Sequence, residues 1–337
     1  MSGARRVTRD DVARIAGVST AVVSYVLNDG PRAVSESTRQ RVLAAVEKTG
    51  YRVDDVARAL AAGRSRVFGF AAPSLINPFI SEIASELARA AADRGVLLLL
   101  ADTREDADRE VKMLRSLIQR QVDGIIYMST TERLSPDLAS GCDIPTVIFE
   151  LAEDNPHVAS VRIEEIGASQ ALTDHLVSHG YPTFAAVVGP DTMMNSSLRL
   201  AGFDRALDRA RIPASRRQSI YAGTSREAGF RAGRTLFDGD QPVRAVFTGN
   251  EDLAIGVISA AAGSGLRVPE DVAVVAFNGS AESRFHVPPL TISRQPIGEM
   301  ADRAVDVLSA TRYTVADHYF PTEIIIRQSC GCPALPA

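Results

Sequence analysis

Apolar positions in the first fifty residues recur at intervals of three and four, the period of an α-helix with one buried face. Val12, Ile15 and Ala16 share a face of a first helix, which Thr8 can cap, with Asp11 three residues on as a weak capping box and Gly17 as the break. Ser19 can cap a second helix carrying Val22, Val23, Val26 and Leu27 and ending near Asn28, where Asp29-Gly30-Pro31 signals a turn. Ser35 can cap a third, Glu36 to Lys48, with Val42, Leu43 and Val46 inward and Gly50 as its stop. Three short helices bury one small core. The Gly17-Val18-Ser19 turn between the first two has helix-turn-helix spacing.

Residues 54–62 form a short Ala-rich helical stretch with Asp54 at its cap, and Gly63-Arg64-Ser65 reads as a linker. From Val67 the pattern changes to strand-like apolar runs alternating with longer helical segments. The strands are expected at Val67–Ala72, Val96–Ala101, Gly124–Met128, Thr146–Glu150, Phe184–Val188, Ala245–Thr248 and Val272–Phe277. The helices between them begin near 79, 104, 165, 197, 226 and 251, with another after Pro296. Such alternation predicts parallel sheets covered by helices on both faces, and the length suits two lobes with a ligand cleft between them. The longest clean apolar run, Val96 to Ala101, suits a buried strand and is too short to cross a bilayer.

Composition adds little to this and charge adds more. The chain has 337 residues, 45% hydrophobic and 23% charged, which is globular. Residues 1–66 hold 12 Lys+Arg against 7 Asp+Glu, whereas the remainder holds 25 against 34. A basic head on an acidic body suits a polyanion-binding domain joined to a body with another task. The polar start, Met1 to Asp10, has no apolar stretch behind it, so a cytoplasmic protein is expected, with no membrane contact. Cys142, Cys330 and Cys332 are an odd set whose last two lie too close to bridge comfortably, so free thiols are expected.

Thr20, Ala21, Ser24 and Tyr25 on the second helix could face a major groove, where short side chains permit close approach. Val7 to Asn28 (VTRDDVARIAGVSTAVVSYVLN) resembles the start of the LacI/GalR family of bacterial regulators. Ser35 to Tyr51, Val56 to Leu60, Asn77-Pro78-Phe79, Val122-Asp123-Gly124, Leu198 to Phe203 and Arg327 to Cys332 continue the resemblance over nearly the whole chain. It implies an all-α helix-turn-helix head with a hinge helix, joined to a two-lobed α/β periplasmic-binding-protein-like body with parallel sheets. The expected boundaries are 1–52 for the head, 53–66 for hinge and linker, and 67–337 for the body. One lobe would comprise about 67–165 plus 294–322, the other about 166–293 plus 323–337.

The resemblance places Thr20, Ala21 and Tyr25 among the base-reading residues and Asn28, Ser35 and Thr38 at phosphates. Leu60 falls where the family wedges a leucine into the minor groove, and Thr8, Ser19 and Ala57 complete the DNA-binding set. Many members carry Arg where this chain has Tyr25, and tyrosine cannot grip guanine bidentately, so a different half-site is expected. Val53-Asp54-Asp55 replaces the usual hinge pair and sets two carboxylates beside DNA phosphates.

For the cleft the resemblance implies Asn77, Phe79, Glu150, Asn195, Arg199, Asn250, Asn278 and Gln295 as effector-binding residues. An aromatic face, several amides and an Arg fork suit a sugar or polyol. Asn278 stands where sugar-binding members carry an aspartate, and Glu164-Glu165 replaces an Asp-Asn pair. These departures leave room for a changed or lost effector response. No Gly-rich phosphate loop or nucleophile elbow is present, so neither an enzyme nor a cofactor is expected. His175 and His179 read as surface histidines, Cys330-Gly331-Cys332 lacks the two-residue spacer of zinc pairs, and no metal is expected. The reading is a homodimeric repressor of a near-palindromic double-stranded operator, tuned by a small metabolite. Its rivals are a solute-binding protein and an enzyme built on the body.

Overall fold

A computed structural model describes residues 7–27, 33–51, 63–129, 143–149, 157–239 and 243–333. The expected hinge helix at 54–62, the Asp29-Gly30-Pro31 turn, Cys142 and Glu150 lie outside those residues. The chain divides into two units, 1–65 and 66–337.

Side-chain caps set the helix starts in the first unit. The Asp11 amide donates to Thr8 Oγ1 at 3.4 Å and the Thr8 amide to Asp11 Oδ2 at 3.0 Å, a reciprocal box that opens α1 (Arg9–Ala16). Gly17, at φ 66°, takes the left-handed conformation that ends it. Ser19 Oγ accepts from the Val22 amide at 3.3 Å at the start of α2 (Thr20–Leu27). Ser35 caps α3 (Glu36–Thr49), which Gly50 ends at φ 63°. The core is Val12, Ala13, Ala16, Val23, Val26, Val42 and Ala45. Ile15 and Leu43, expected inside, are 44% and 47% exposed. Each inward stripe is rotated toward an alanine, Ala13 or Ala45, because a core this small closes only where short side chains let the helices approach.

Two six-stranded sheets organise the second unit. The first runs β11 (Asp317–Phe320), β5 (Ala159–Ile163), β4 (Thr146–Phe149), β3 (Gly124–Tyr127), β1 (Val67–Ala72), β2 (Leu97–Asp102), all parallel. The second runs β12 (Glu323–Ile325), β10 (Thr291–Arg294), β9 (Ala273–Phe277), β8 (Ala245–Thr248), β6 (Phe184–Val188), β7 (Arg217–Tyr221), with β12 alone antiparallel. Phe68 and Phe70 of β1 face α4 (Pro78–Asp93) and α10 (Ile297–Ser309), while Ala71 packs in a separate cluster with Leu114 and Leu117 of α5 (Ala107–Gln119). The second sheet carries α6 (Glu165–Ser178) and α7 (Met194–Arg209) on one face and α8 (Arg226–Phe237) and α9 (Glu251–Gly263) on the other. The chain crosses between lobes three times: after β5, after β10 and between β11 and β12.

The expected strands and helices that fall on described residues all appear, with helix starts in the second unit shifted by up to three residues. β2 corrects one expectation. Its leucine run forms the sheet's edge and is not buried, and Leu97 is 67% exposed, with Leu99 and Leu100 also exposed. Five strands were not legible, namely β5, β7, β10, β11 and β12. They are short or polar, and β5 buries Arg162, which pairs with Asp317 and lies 4.8 Å over the Tyr319 ring on neighbouring β11.

α6 and α7 cross at Gly202, where an added Cβ would collide with the Ile166 carbonyl and lie 2.6 Å from Ser169 Cβ. Gly202→Ala is therefore expected to destabilise the body by about 1–3 kcal/mol. Urea unfolding checks this, with a lower midpoint at unchanged slope.

Candidate functional site

The outer face of α2 presents Thr20 and Ala21 exposed, with Ser24 and Tyr25 half-buried, while Val23 and Val26 point into the core. This is one helical face, set apart by 3.6-residue geometry from the packed one. Thr8, Ser19, Ser35 and Thr38 surround the helix starts. Thr8 and Ser19 are engaged in capping, and Ser35 Oγ donates to Thr38 Oγ1 at 2.9 Å. Helix starts of this kind offer amide groups and a positive dipole end to an anion. Asn28, Ala57 and Leu60 lie outside the described residues.

In the body, a cleft opens at the C-terminal ends of the parallel strands, as expected for open α/β sheets. β1 leads into Asn77 and Phe79, and β3 into Met128 and Ser129. From the other lobe β6 leads to Gly189 and then to Met193, Asn195 and Arg199, β8 to Asn250, and β9 to Asn278. Six of the expected effector residues thus line one cavity. Gln295 lies behind them and donates to Asn278 Oδ1 at 2.5 Å. Glu150 is outside the described residues. Asn278 adopts φ 53°, a left-handed conformation that asparagine tolerates better than most residues.

Several of these side chains already hold protein partners. Asn77 Oδ1 caps α4 through the Phe79 amide at 3.0 Å, and Asn250 Oδ1 caps α9 through the Leu253 amide at 2.7 Å. Arg199 differs from expectation. Its guanidinium grips Glu165 bidentately at 2.8 and 3.0 Å, donates to the Gly249 carbonyl at 2.7 Å and lies 4.3 Å over the Phe277 ring. The fork expected to face a ligand is turned onto a carboxylate, because Glu165 begins α6 directly beneath it and both groups are buried.

Sequence reasoning missed the acidic residues of the cleft. Asn77 Nδ2 donates to Asp252 Oδ2 at 3.0 Å and Thr224 Oγ1 to Glu105 Oε1 at 2.9 Å, both from lobe to lobe. Glu251 accepts from the Ser280 amide at 2.8 Å and contacts His286 Nε2 at 2.9 Å. Burial pushes its carboxyl up, but the His286 and Ser280 hydrogen bonds outweigh that and hold it below the usual carboxylate value. The Asn250-Glu251-Asp252 run, a cap followed by two acids, was the available signal, and it reads equally well as an ordinary helix start.

Removing one partner of the Arg199–Glu165 pair leaves a buried charge uncompensated. Glu165→Leu is expected to cost about 3–5 kcal/mol in thermal or urea unfolding. The double replacement Glu165→Leu with Arg199→Met is expected to recover most of that loss.

Residues 8–54 match the family described as bacterial regulatory proteins, lacI family, and residues 173–330 match a periplasmic binding protein-like domain. The ribose operon repressor of Escherichia coli strain K12 is 32% identical over 303 residues, covering 89% of this chain and 92% of that protein. Catabolite control protein A of Priestia megaterium is 31% identical, covering 90% and 92% respectively. A crystal structure of the lac repressor dimer bound to operator and the anti-inducer ONPF matches with a TM-score of 0.83 at 26% identity, covering 97% of this chain and 99% of that one.

Proposed function

The chain is a DNA-binding transcription regulator that belongs to the lacI family of bacterial regulatory proteins, and from that premise we propose how it reads DNA and what sets its grip. It acts in the cytoplasm as a homodimeric repressor. Residues 1–52 read the operator, 53–66 form the hinge, and 67–337 bind the effector and the second copy. The observation that carries the reading is the single outer face of α2. Thr20, Ala21, Ser24 and Tyr25 meet base edges in the major groove, while Thr8, Ser19, Asn28, Ser35 and Thr38 hold phosphates. Ala57 and Leu60 enter the central minor-groove step. A two-fold dimer then selects a near-palindromic site. The exposed leucines of β2 supply an apolar face that a second copy would cover.

The effector is a sugar or polyol held between the lobes. Phe79 offers an aromatic face, and Asn195, Asn250 and Asn278 offer amides to hydroxyls. The ribose operon repressor, by its name, regulates ribose genes, which supports the same ligand class here. Ligand binding shifts lobe closure, and closure sets the spacing of the hinges. A second reading keeps the DNA role without an effector. It is favoured by Arg199, whose guanidinium already grips Glu165.

Selection of bound sites from random double-stranded DNA tests the reading helix. Tyr25→Arg is expected to change base preference at one position per half-site by about 1–3 kcal/mol. An unchanged preference removes Tyr25 from the reading set, and undiminished promoter binding by residues 67–337 alone defeats the whole assignment.

A thermal-shift panel of sugars and polyols tests the cleft. A ligand that raises the melting temperature of the wild type is expected to lose at least about tenfold in affinity with Asn195→Ala, consistent with one or two lost hydrogen bonds. No hit across the panel, with tight DNA binding intact, favours the second reading.

A further inference from the structure

The histidine pair and the Cys-Gly-Cys tail, each unremarkable in the sequence, meet in the fold. His175 lies in the last turn of α6 and His179, four residues on, is the C-cap that follows it, and neither is a fully exposed surface residue. Cys330 closes a short 3-10 turn over Gln328–Cys330, and Gly331 follows at φ 95°. That left-handed turn swings Cys332 back beside Cys330, and a side chain at Gly331 would collide with the Tyr181 hydroxyl. One donor atom from each of His175, His179, Cys330 and Cys332 lies within 4.8 Å of all the others.

The separations fit a common central ion. His175 Nε2 is 3.2 Å from Cys330 Sγ and 3.7 Å from Cys332 Sγ, and His179 Nε2 is 3.4 Å from Cys332 Sγ. A tetrahedral zinc with Zn–S of about 2.3 Å and Zn–N of about 2.0–2.1 Å sets its sulfur and nitrogen ligands roughly 3.6 Å apart. We propose that His175, His179, Cys330 and Cys332 form a structural Cys2His2 site for a zinc ion, which staples the C-terminal segment to α6.

The surroundings suit such a site. Thr291 Oγ1 lies 3.1 Å from Cys330 Sγ as a donor to a thiolate, and Tyr181 donates to the Cys330 carbonyl at 2.8 Å, fixing the turn. The His179 ring stacks on Tyr181, with centroids 5.7 Å apart. Two thiolates and two imidazoles select zinc among the common divalent ions, and four protein donors leave no open position for a substrate. Binding releases the two thiol protons to solvent as two Zn–S bonds form, and no oxidation is involved. The ion would sit at the C-terminal end of α6, at the opposite end from the Glu165 that holds Arg199, so it is separate from the cleft.

The test uses the untagged full chain purified under reducing conditions. Elemental analysis is expected to find about one zinc per chain. After removal with a strong chelator, Co(II) is expected to give the intense visible bands of a tetrahedral thiolate–imidazole site, saturating at one equivalent. Chelation is expected to lower the melting temperature, and zinc to restore it. Cys332→Ser and His179→Gln are each expected to lose the retained zinc. Wild-type chain that holds no zinc and gives no tetrahedral cobalt spectrum while reduced overturns the proposal, whether or not the variants fold. So does a Cys330–Cys332 disulfide in the freshly isolated protein with a melting temperature indifferent to chelation.

Discussion

A buried guanidinium–carboxylate pair holds the cleft-facing end of the second lobe. Glu165 is the first residue of α6, immediately after the chain's first crossing between lobes, and Arg199 comes from the start of α7. Through Arg199 the pair also reaches the Gly249 carbonyl after β8 and the Phe277 ring at the end of β9. One side chain thus ties together segments that are far apart in sequence. The charges make this tie inflexible. Neither can be left alone in so dry a place, so the four segments keep one arrangement. The cleft lining inherits its shape from that arrangement.

Across the cleft the contacts are of another kind. Asn77 to Asp252 and Thr224 to Glu105 are single hydrogen bonds at the rim, from polar groups that water can satisfy equally well. The lobes are also joined by three crossings of the chain and by one buried apolar cluster that includes Ile163 of one lobe and Ala168 of the other.

The sequence exposed those features that depend on local spacing. The Thr8, Ser19 and Ser35 caps, the Gly17 and Gly50 stops and the central apolar strands all rest on residues within a few positions of each other. What escaped depends on neighbours brought from elsewhere. The rotation of α1 and α3 toward Ala13 and Ala45 is set by the partner helix. β5 looks too polar for a central strand because Arg162 finds Asp317 more than a hundred and fifty residues later. The leucine run of β2 looks like a core strand, and only sheet order reveals it as an edge. Arg199 carries the right chemistry for a ligand, and only the fold discloses that Glu165 has claimed it. The His175–His179 and Cys330–Cys332 pairs are separated by a whole lobe of sequence, so no spacing rule could unite them.

The interleaved path of the chain bears on its synthesis. β11 completes one sheet and β12 the other, and both follow every other described strand. A nascent chain halted before residue 317 would therefore carry two unfinished sheets, with β5 and β10, interior strands of the finished body, standing at their edges. Interior strands left at an edge expose unpaired backbone groups to other chains. Neither lobe can be finished ahead of the other on the ribosome. The two mature together, within the few residues that separate β11 from β12.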